Sequence, residues 1–176
     1  MQHELVSKAL AFAHEQHTGQ YYGSVAYMVH VEQVVNIVRK YFPSNAIMLA
    51  AAYLHDVMED CGVAREEMEK LFGFDVTNLV WRVTGEGGNR KERNESIYLK
   101  VQDSDAARAI KIADRIANVR HSYFNRDFDK LFMYYKEMPT FFKKLYKHTD
   151  SREIQEMWEE LCNELGGTLE KWVEDN

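Results

Sequence analysis

Two short stretches of this chain concentrate residues able to do chemistry inside otherwise apolar surroundings. The first is HDVMED, His55 to Asp60, which follows the apolar turn Ala51-Ala52-Tyr53-Leu54. Charge taken out of water without a partner is costly, so these groups require counter-charges or a metal. On a continuous helix His55 stacks above Glu59 and Asp56 above Asp60, placing all four on one side. A polar patch where the helix end surfaces near Gly62 is the weaker alternative for this cluster on its own. The second stretch is KIADRIANVR, Lys111 to Arg120, where Asp114 and Asn118 share a face and Ile110, Ala113, Ile116, Ala117 and Val119 supply the core side. Taken alone, Asp114 is either a ligand or a core carboxylate paired with Arg115 or Arg120. His30, at the start of a helix after a Gly-containing loop, is alone a packed or capping residue. Together, His30, His55, Asp56 and Asp114 make two imidazoles and two carboxylates from three helices. Such a set, with positions left for water, suits Mn²⁺, Fe²⁺ or Zn²⁺. A metal held there lowers the pKa of a bound water and shields phosphate charge. Glu59 and Asp60, one turn on, are then placed to orient that water or handle its proton.

The elements that must position these residues follow from the hydrophobic period. Leu5, Leu10, Phe12 and Ala13 begin a helix running to about His17, and the tract to Ala26 is a loop punctuated by Gly19 and Gly23. Val31, Val34, Val35 and Val38 restore the helical period from Tyr27. Pro43-Ser44 marks a boundary, with Ser44 as N-cap of the next helix, AIMLAAAYLHDVMED, which is apolar nearly all round and belongs in the middle of a bundle. Gly62 stops it. A charged helix, AREEMEKLF, ends at Gly73, and another runs from Asp75 to Thr84. After the flexible loop Gly85 to Asn89 come RKERNESIYLKV, DAARAIKIADRIANVRH, a helix from about Lys130 to Lys147, and a last one capped near Asp150-Ser151. The expectation is one all-α domain of about eight helices spanning residues 1–176.

Composition narrows the function classes. The 176 residues suit one domain, and two prolines permit long uninterrupted helices. No apolar run approaches the roughly 18 residues needed to cross a bilayer. The N-terminus does not resemble a signal peptide, and Cys61 and Cys162 are too few for a disulfide framework, so the cytoplasm is the expected compartment. Net charge is −6 but uneven: Arg82 to Arg126 carries ten Lys/Arg against six Asp/Glu, and Asp150 to Asp175 nine acids against two bases. An acidic chain with one basic segment is a poor general nucleic-acid binder, though a local basic cleft can take a small polyanion. Arg90, Lys91 and Arg93 form either a phosphate-binding lid or a solvated loop. His14 and His17 lack an accompanying carboxylate, and His3, His121 and His148 are expected at the surface. The acidic end is a soluble outer helix or a self-association surface, so a homo-oligomer is an open expectation.

The stretches ALAFAHEQHTGQ, YMVH, AAYLHDVMEDCG, LFGFDVTNLVWRVTG and IKIADRIANVR occur in that order over roughly residues 8 to 120. They resemble the HD superfamily, defined by the order H…HD…D, and in particular the hydrolase domain of the Rel/Spo alarmone enzymes and the stand-alone small alarmone hydrolases. The resemblance implies a helical bundle with one Mn²⁺ at His30, His55, Asp56 and Asp114, and Glu59 and Asp60 as the acidic pair supporting attack of water. It implies removal of pyrophosphate from the 3′ position of guanosine tetra- or pentaphosphate, with a small phosphorylated nucleotide as partner and neither nucleic acid nor membrane. Asn118 matches a residue near the nucleotide sugar. Lys111, Arg115 and Arg120 fall where positive charge would face phosphates, and Tyr135 resembles a substrate-lining tyrosine. Two departures bear on the base. The family has basic residues after the position of Gln20, where this chain has Tyr21-Tyr22, whose rings can stack on a base. The Gly-x-Pro-Tyr before the first ligand is here Gly23-Ser24-Val25-Ala26-Tyr27, and Val31 replaces the proline after it. An adenine alarmone, another phosphorylated nucleotide cleaved by a nucleotidase, and a catalytically silent nucleotide sensor remain alternatives. Nothing after residue 120 resembles the synthetase half of the long enzymes.

Overall fold

The computed structural model describes residues 2–167. Among these, eight helices of eight residues or more and one single-turn helix pack around a shared apolar core. The chain opens with α1 (Gln2–Gln16), then a two-residue antiparallel ribbon, β1 (Tyr21–Tyr22) and β2 (Val25–Ala26), and α2 (Tyr27–Tyr41). α3 (Ala46–Tyr53), the single turn α4 (Val57–Asp60), α5 (Arg65–Val83), α6 (Arg90–Val101), α7 (Asp105–Phe124), α8 (Phe128–Leu145) and α9 (Arg152–Glu164) follow. α7 is the axis of the bundle and meets α2, α3, α5, α6, α8 and α9.

Local chemistry explains most boundaries. Side-chain oxygens of Asn45, Asn89, Ser104, Asp127 and Ser151 each accept the backbone N–H three residues on, starting α3, α6, α7, α8 and α9. The cap of α3 is therefore Asn45 and not Ser44. Gly73, at φ 77° and ψ 170°, kinks α5 between the two helical pieces expected there. The expected loop after α1 instead closes as the β1–β2 ribbon, with Tyr21 opposite Ala26 and Tyr22 opposite Val25. Its turn needs Gly23 at φ 64°, and the Tyr27 N–H bonds back to the Gln20 carbonyl at 3.0 Å.

One expectation fails in an informative place. AIMLAAAYLHDVMED is not one continuous helix: it breaks at Leu54–Asp56, where Leu54 (φ −101°, ψ 2°) and Asp56 (φ −106°, ψ −3°) sit in the bridge region between α3 and α4. Consecutive residues of a regular helix point about 100° apart. The break lets His55 and Asp56 converge instead, bringing His55 Nε2 within 2.9 Å of Asp56 Oδ2.

Candidate metal centre

Three elements meet at this point. His30 is the fourth residue of α2, aimed by the ribbon that precedes it; His55 and Asp56 occupy the break; Asp114 lies midway along α7. His30 Nε2 is 3.3 Å from Asp114 Oδ1 and 3.8 Å from Asp56 Oδ2, and His55 Nε2 is 4.0 Å from Asp114 Oδ1. Ligand atoms of His30, His55 and Asp56 all lie within 4.8 Å of one another. Both imidazoles are 2% exposed.

The donor set fits a divalent cation. His55 Nδ1 donates to the Ala52 carbonyl at 2.8 Å, which leaves Nε2 as the lone-pair nitrogen of the neutral ring. That nitrogen is buried 2.9 Å from Asp56 Oδ2, an arrangement that calls for positive charge between them, a proton on the ring or a cation in its place. Burial depresses the His55 imidazole, but the Asp56 and Asp114 charges outweigh it and raise it to about 9. Burial likewise pushes the Asp56 carboxyl up, yet His55 holds it well below the usual range. Asp114 is held low against burial by Lys111 and His30.

A supporting shell fixes these candidate ligands. Lys111 Nζ donates to Asp114 Oδ2 and Asn118 Nδ2 to Asp114 Oδ1, each at 2.6 Å. The Tyr27 hydroxyl donates to Asp56 Oδ2 at 2.6 Å and lies 2.7 Å from Asp60 Oδ2. Glu59 turns toward the α5–α6 loop, where Oε2 accepts the Gly85 N–H at 2.7 Å and Oε1 is 3.3 Å from Arg93 Nε. Gly85 is required there: a Cβ would come 2.7 Å from that of Arg93. Burial raises both Glu59 and Asp60 above ordinary carboxylate values; the Gly85 N–H and Lys111 moderate Glu59, and Tyr27 moderates Asp60.

The expected substrate-facing residues divide. Lys111, Asn118 and Tyr22 are at the centre. Tyr22 donates to Asn118 Oδ1, and its ring centroid lies 4.9 Å from that of His30 and 4.2 Å from that of His121. Tyr21 points outward and is 71% exposed. Arg115 does not face the site: it is 3% exposed, pairs with Glu137 at 2.9 Å and lies against the Tyr134 and Phe141 rings. Arg120 faces outward to Glu160 and Glu164. Tyr135 lines an outer cleft with Tyr123, Phe128, Leu131 and Phe132, while its buried neighbour Tyr134 comes within hydrogen-bonding reach of Tyr22. His121 is buried beside Tyr22 and not at the surface. Tyr27, Tyr134 and His121 were missed by sequence reasoning, although two carried a signal. Tyr27 precedes His30 by three residues, and His121 follows Asp114 and Asn118 on the same helical face.

A helical bundle with paired imidazoles and carboxylates at a break in a buried helix defines a metal-dependent HD-type domain. The chain belongs to that family: the HD domain model matches residues 9–167. It is 34% identical over 118 residues to the guanosine-3′,5′-bis(diphosphate) 3′-pyrophosphohydrolase MESH1 of Drosophila melanogaster, covering 65% of this chain and 66% of that one. The MESH1 protein of Xenopus tropicalis is 30% identical over 122 residues, covering 66% and 68%. A probable guanosine-3′,5′-bis(diphosphate) 3′-pyrophosphohydrolase of Synechocystis is 31% identical over 127 residues, and there the match spans only 17% of the longer protein. A solved structure, described as a metazoan ortholog of SpoT that hydrolyzes ppGpp and plays a role in starvation responses, superposes with a TM-score of 0.77. It is 25% identical and covers 92% of this chain and 96% of its own. Among the described residues, no helix is long and apolar enough to cross a membrane.

Proposed function

We propose that the chain is a metal-dependent 3′-pyrophosphohydrolase acting on guanosine 3′,5′-bis(diphosphate) or a close analogue, with residues 1–176 working as a single hydrolase domain. The observation that carries this is the convergence of His30, His55, Asp56 and Asp114 beside Glu59 and Asp60, in a chain similar to relatives named for that reaction. Mn²⁺ is the favoured ion, with Fe²⁺ or Zn²⁺ compatible with the same donors. When bound, the ion supplies Lewis acidity and an acidified water.

The chain's own residues do the rest. Glu59 and Asp60 orient the attacking water and take its proton. The water oxygen bonds to the phosphorus attached to the ribose 3′ oxygen, the P–O3′ bond breaks, and the 3′ oxygen leaves with a proton. Nucleoside diphosphate and pyrophosphate are the products. Asn118, held by Tyr22, is placed for the sugar, and Lys111 is the cation nearest the centre. An adenine alarmone is the second reading. Tyr21 and Tyr22 favour it by standing where the family has basic residues that hold guanine, and Tyr21 offers an exposed ring face.

The test is product analysis of metal-stripped, Mn²⁺-reconstituted protein given guanosine tetraphosphate and its adenine counterpart. Pyrophosphate that appears only with Mn²⁺ supports the proposal, and Tyr21→Arg should then shift relative rates toward guanine. Orthophosphate as product moves the assignment to a nucleotidase. No turnover with metal bound leaves a nucleotide sensor or another phosphorylated substrate.

A further inference from the structure

Tyr27 touches both halves of the site. Its hydroxyl is 2.6 Å from the ligand oxygen Asp56 Oδ2 and 2.7 Å from Asp60 Oδ2, a member of the acidic pair. A phenol carries a single proton, so it donates fully to only one of the two carboxylates at a time.

The ring is fixed on several sides. His17 stacks on it at 4.6 Å with 22° between planes, and the Tyr22 and His30 rings meet it edge-on at 6.0 and 5.7 Å. His17 is in turn held by a 2.7 Å bond between Nδ1 and Gln20 Oε1. The Gln20 carbonyl accepts the Tyr27 N–H, and its side-chain amide reaches the Asp60 carbonyl at 3.5 Å. The turn His17 to Gln20 thus builds a socket for this one phenol. A surface tyrosine has no need of such a socket.

We propose that Tyr27 is a positioning residue whose hydroxyl orients the metal ligand Asp56 and the carboxylate Asp60 together, coupling metal occupancy to placement of the acid–base group through one shared proton. This rests on the metal-centred hydrolase proposed above. A cation that draws electron density from Asp56 weakens that oxygen as an acceptor, so the phenol's bond to Asp60 strengthens and Asp60 is fixed once metal is in place. Outer-shell partners of this kind typically tune metal affinity or activity by about 10–100-fold.

The test is calorimetric Mn²⁺ titration of metal-stripped wild type, Tyr27→Phe, Asp60→Asn and the double variant, alongside steady-state kinetics. Tyr27→Phe keeps the ring and its stacking on His17, so the fold is retained, and an unchanged melting temperature checks that. The expected result is Mn²⁺ binding weakened about 10–100-fold, with kcat reduced and KM little changed. Asp60→Asn should alter Mn²⁺ affinity about threefold or more in the wild-type background and lose that effect in the Tyr27→Phe background, the non-additivity of a shared partner. Affinity within about twofold of wild type for Tyr27→Phe, or strictly additive effects, overturns the coupling and leaves the hydrolase proposal intact. Wild type that takes up none of Mn²⁺, Fe²⁺ and Zn²⁺ overturns both.

Discussion

Lys111 gives a prediction about the metal centre that does not depend on knowing the substrate. Its ammonium is 2.6 Å from Asp114 Oδ2, and the two side chains are only 16% and 10% exposed. Lys111→Met keeps the length of the alkyl stem but removes the charge. Breaking a buried ion pair from one side costs about 3–5 kcal/mol because the remaining charge is left uncompensated. Asp114 would still have the Asn118 amide at 2.6 Å and His30 Nε2 at 3.3 Å, so the cost falls to or below the low end of that range, about 2–3 kcal/mol. In a domain of this size each kcal/mol moves the midpoint about 2–4 °C, which gives a fall of about 4–12 °C for metal-free protein. A divalent cation at the centre would supply the missing positive charge to the same carboxylate. The deficit should therefore shrink when Mn²⁺ is added in excess, beyond the general stabilisation that any ligand of the native state provides. Paired thermal melts of wild type and Lys111→Met, metal-stripped and Mn²⁺-loaded, measure all four quantities. A metal-free variant melting within about 1 °C of wild type refutes the claim that Lys111 neutralises Asp114. A deficit that is the same with and without Mn²⁺ refutes the claim that the cation sits against that carboxylate.

Glu59→Gln should keep Mn²⁺ binding yet lower the rate by about 10²–10⁴-fold, the usual share of a positioned acid–base group; full activity would remove Glu59 from the mechanism. Arg108, 1% exposed, bonds Asp150 Oδ1 at 2.6 Å and the Leu145 carbonyl at 2.7 Å, so Arg108→Ala should cost about 3–5 kcal/mol in urea denaturation. A loss under about 1 kcal/mol there would mean that Asp150 has another counter-charge. Glu137 accepts Arg90 at 2.7 and 3.0 Å; burial raises its carboxyl, but the Arg90 bonds and the Arg90 and Arg115 charges outweigh that and hold it below the ordinary 4.5. The stabilisation from such a depressed carboxyl is complete above its unfolded value and is lost as pH falls through the folded one. Glu137→Gln should accordingly be less stable than wild type at neutral pH, with the two curves converging as acid protonates Glu137 in the folded protein; a gap that does not narrow as pH falls contradicts the ion-pair account.

The sequence made the candidate ligands legible because an apolar helix states its exceptions. Asp114 among Ile110, Ala113, Ile116 and Ala117 has no ordinary reason to be there, and the same holds for His55 and Asp56 after Ala51-Ala52-Tyr53-Leu54. What stayed hidden depends on a rotation or on a distant partner. Tyr134 and Tyr135 differ by about 100° around α8, and nothing in FMYYKEM reports that Tyr134 is the one that faces Tyr22. Arg115 looked available for phosphate because its counter-ion, Glu137, lies on another helix, and only the packing of α8 against α7 brings the two together.

The break at Leu54–Asp56 was illegible for a deeper reason. Ala46 to Tyr53 is strongly helix-forming, and local propensity alone continues that helix through His55 and Asp56. A continuous helix would turn those two side chains about 100° apart and leave the cation site without one of its donors. The bridge-region backbone at Leu54 and Asp56 is held by the surrounding core: Leu54 and Val57 are both fully buried. The candidate site lies where this chain departs from its own local rule, and that departure is what lets an adjacent His-Asp pair converge on one point.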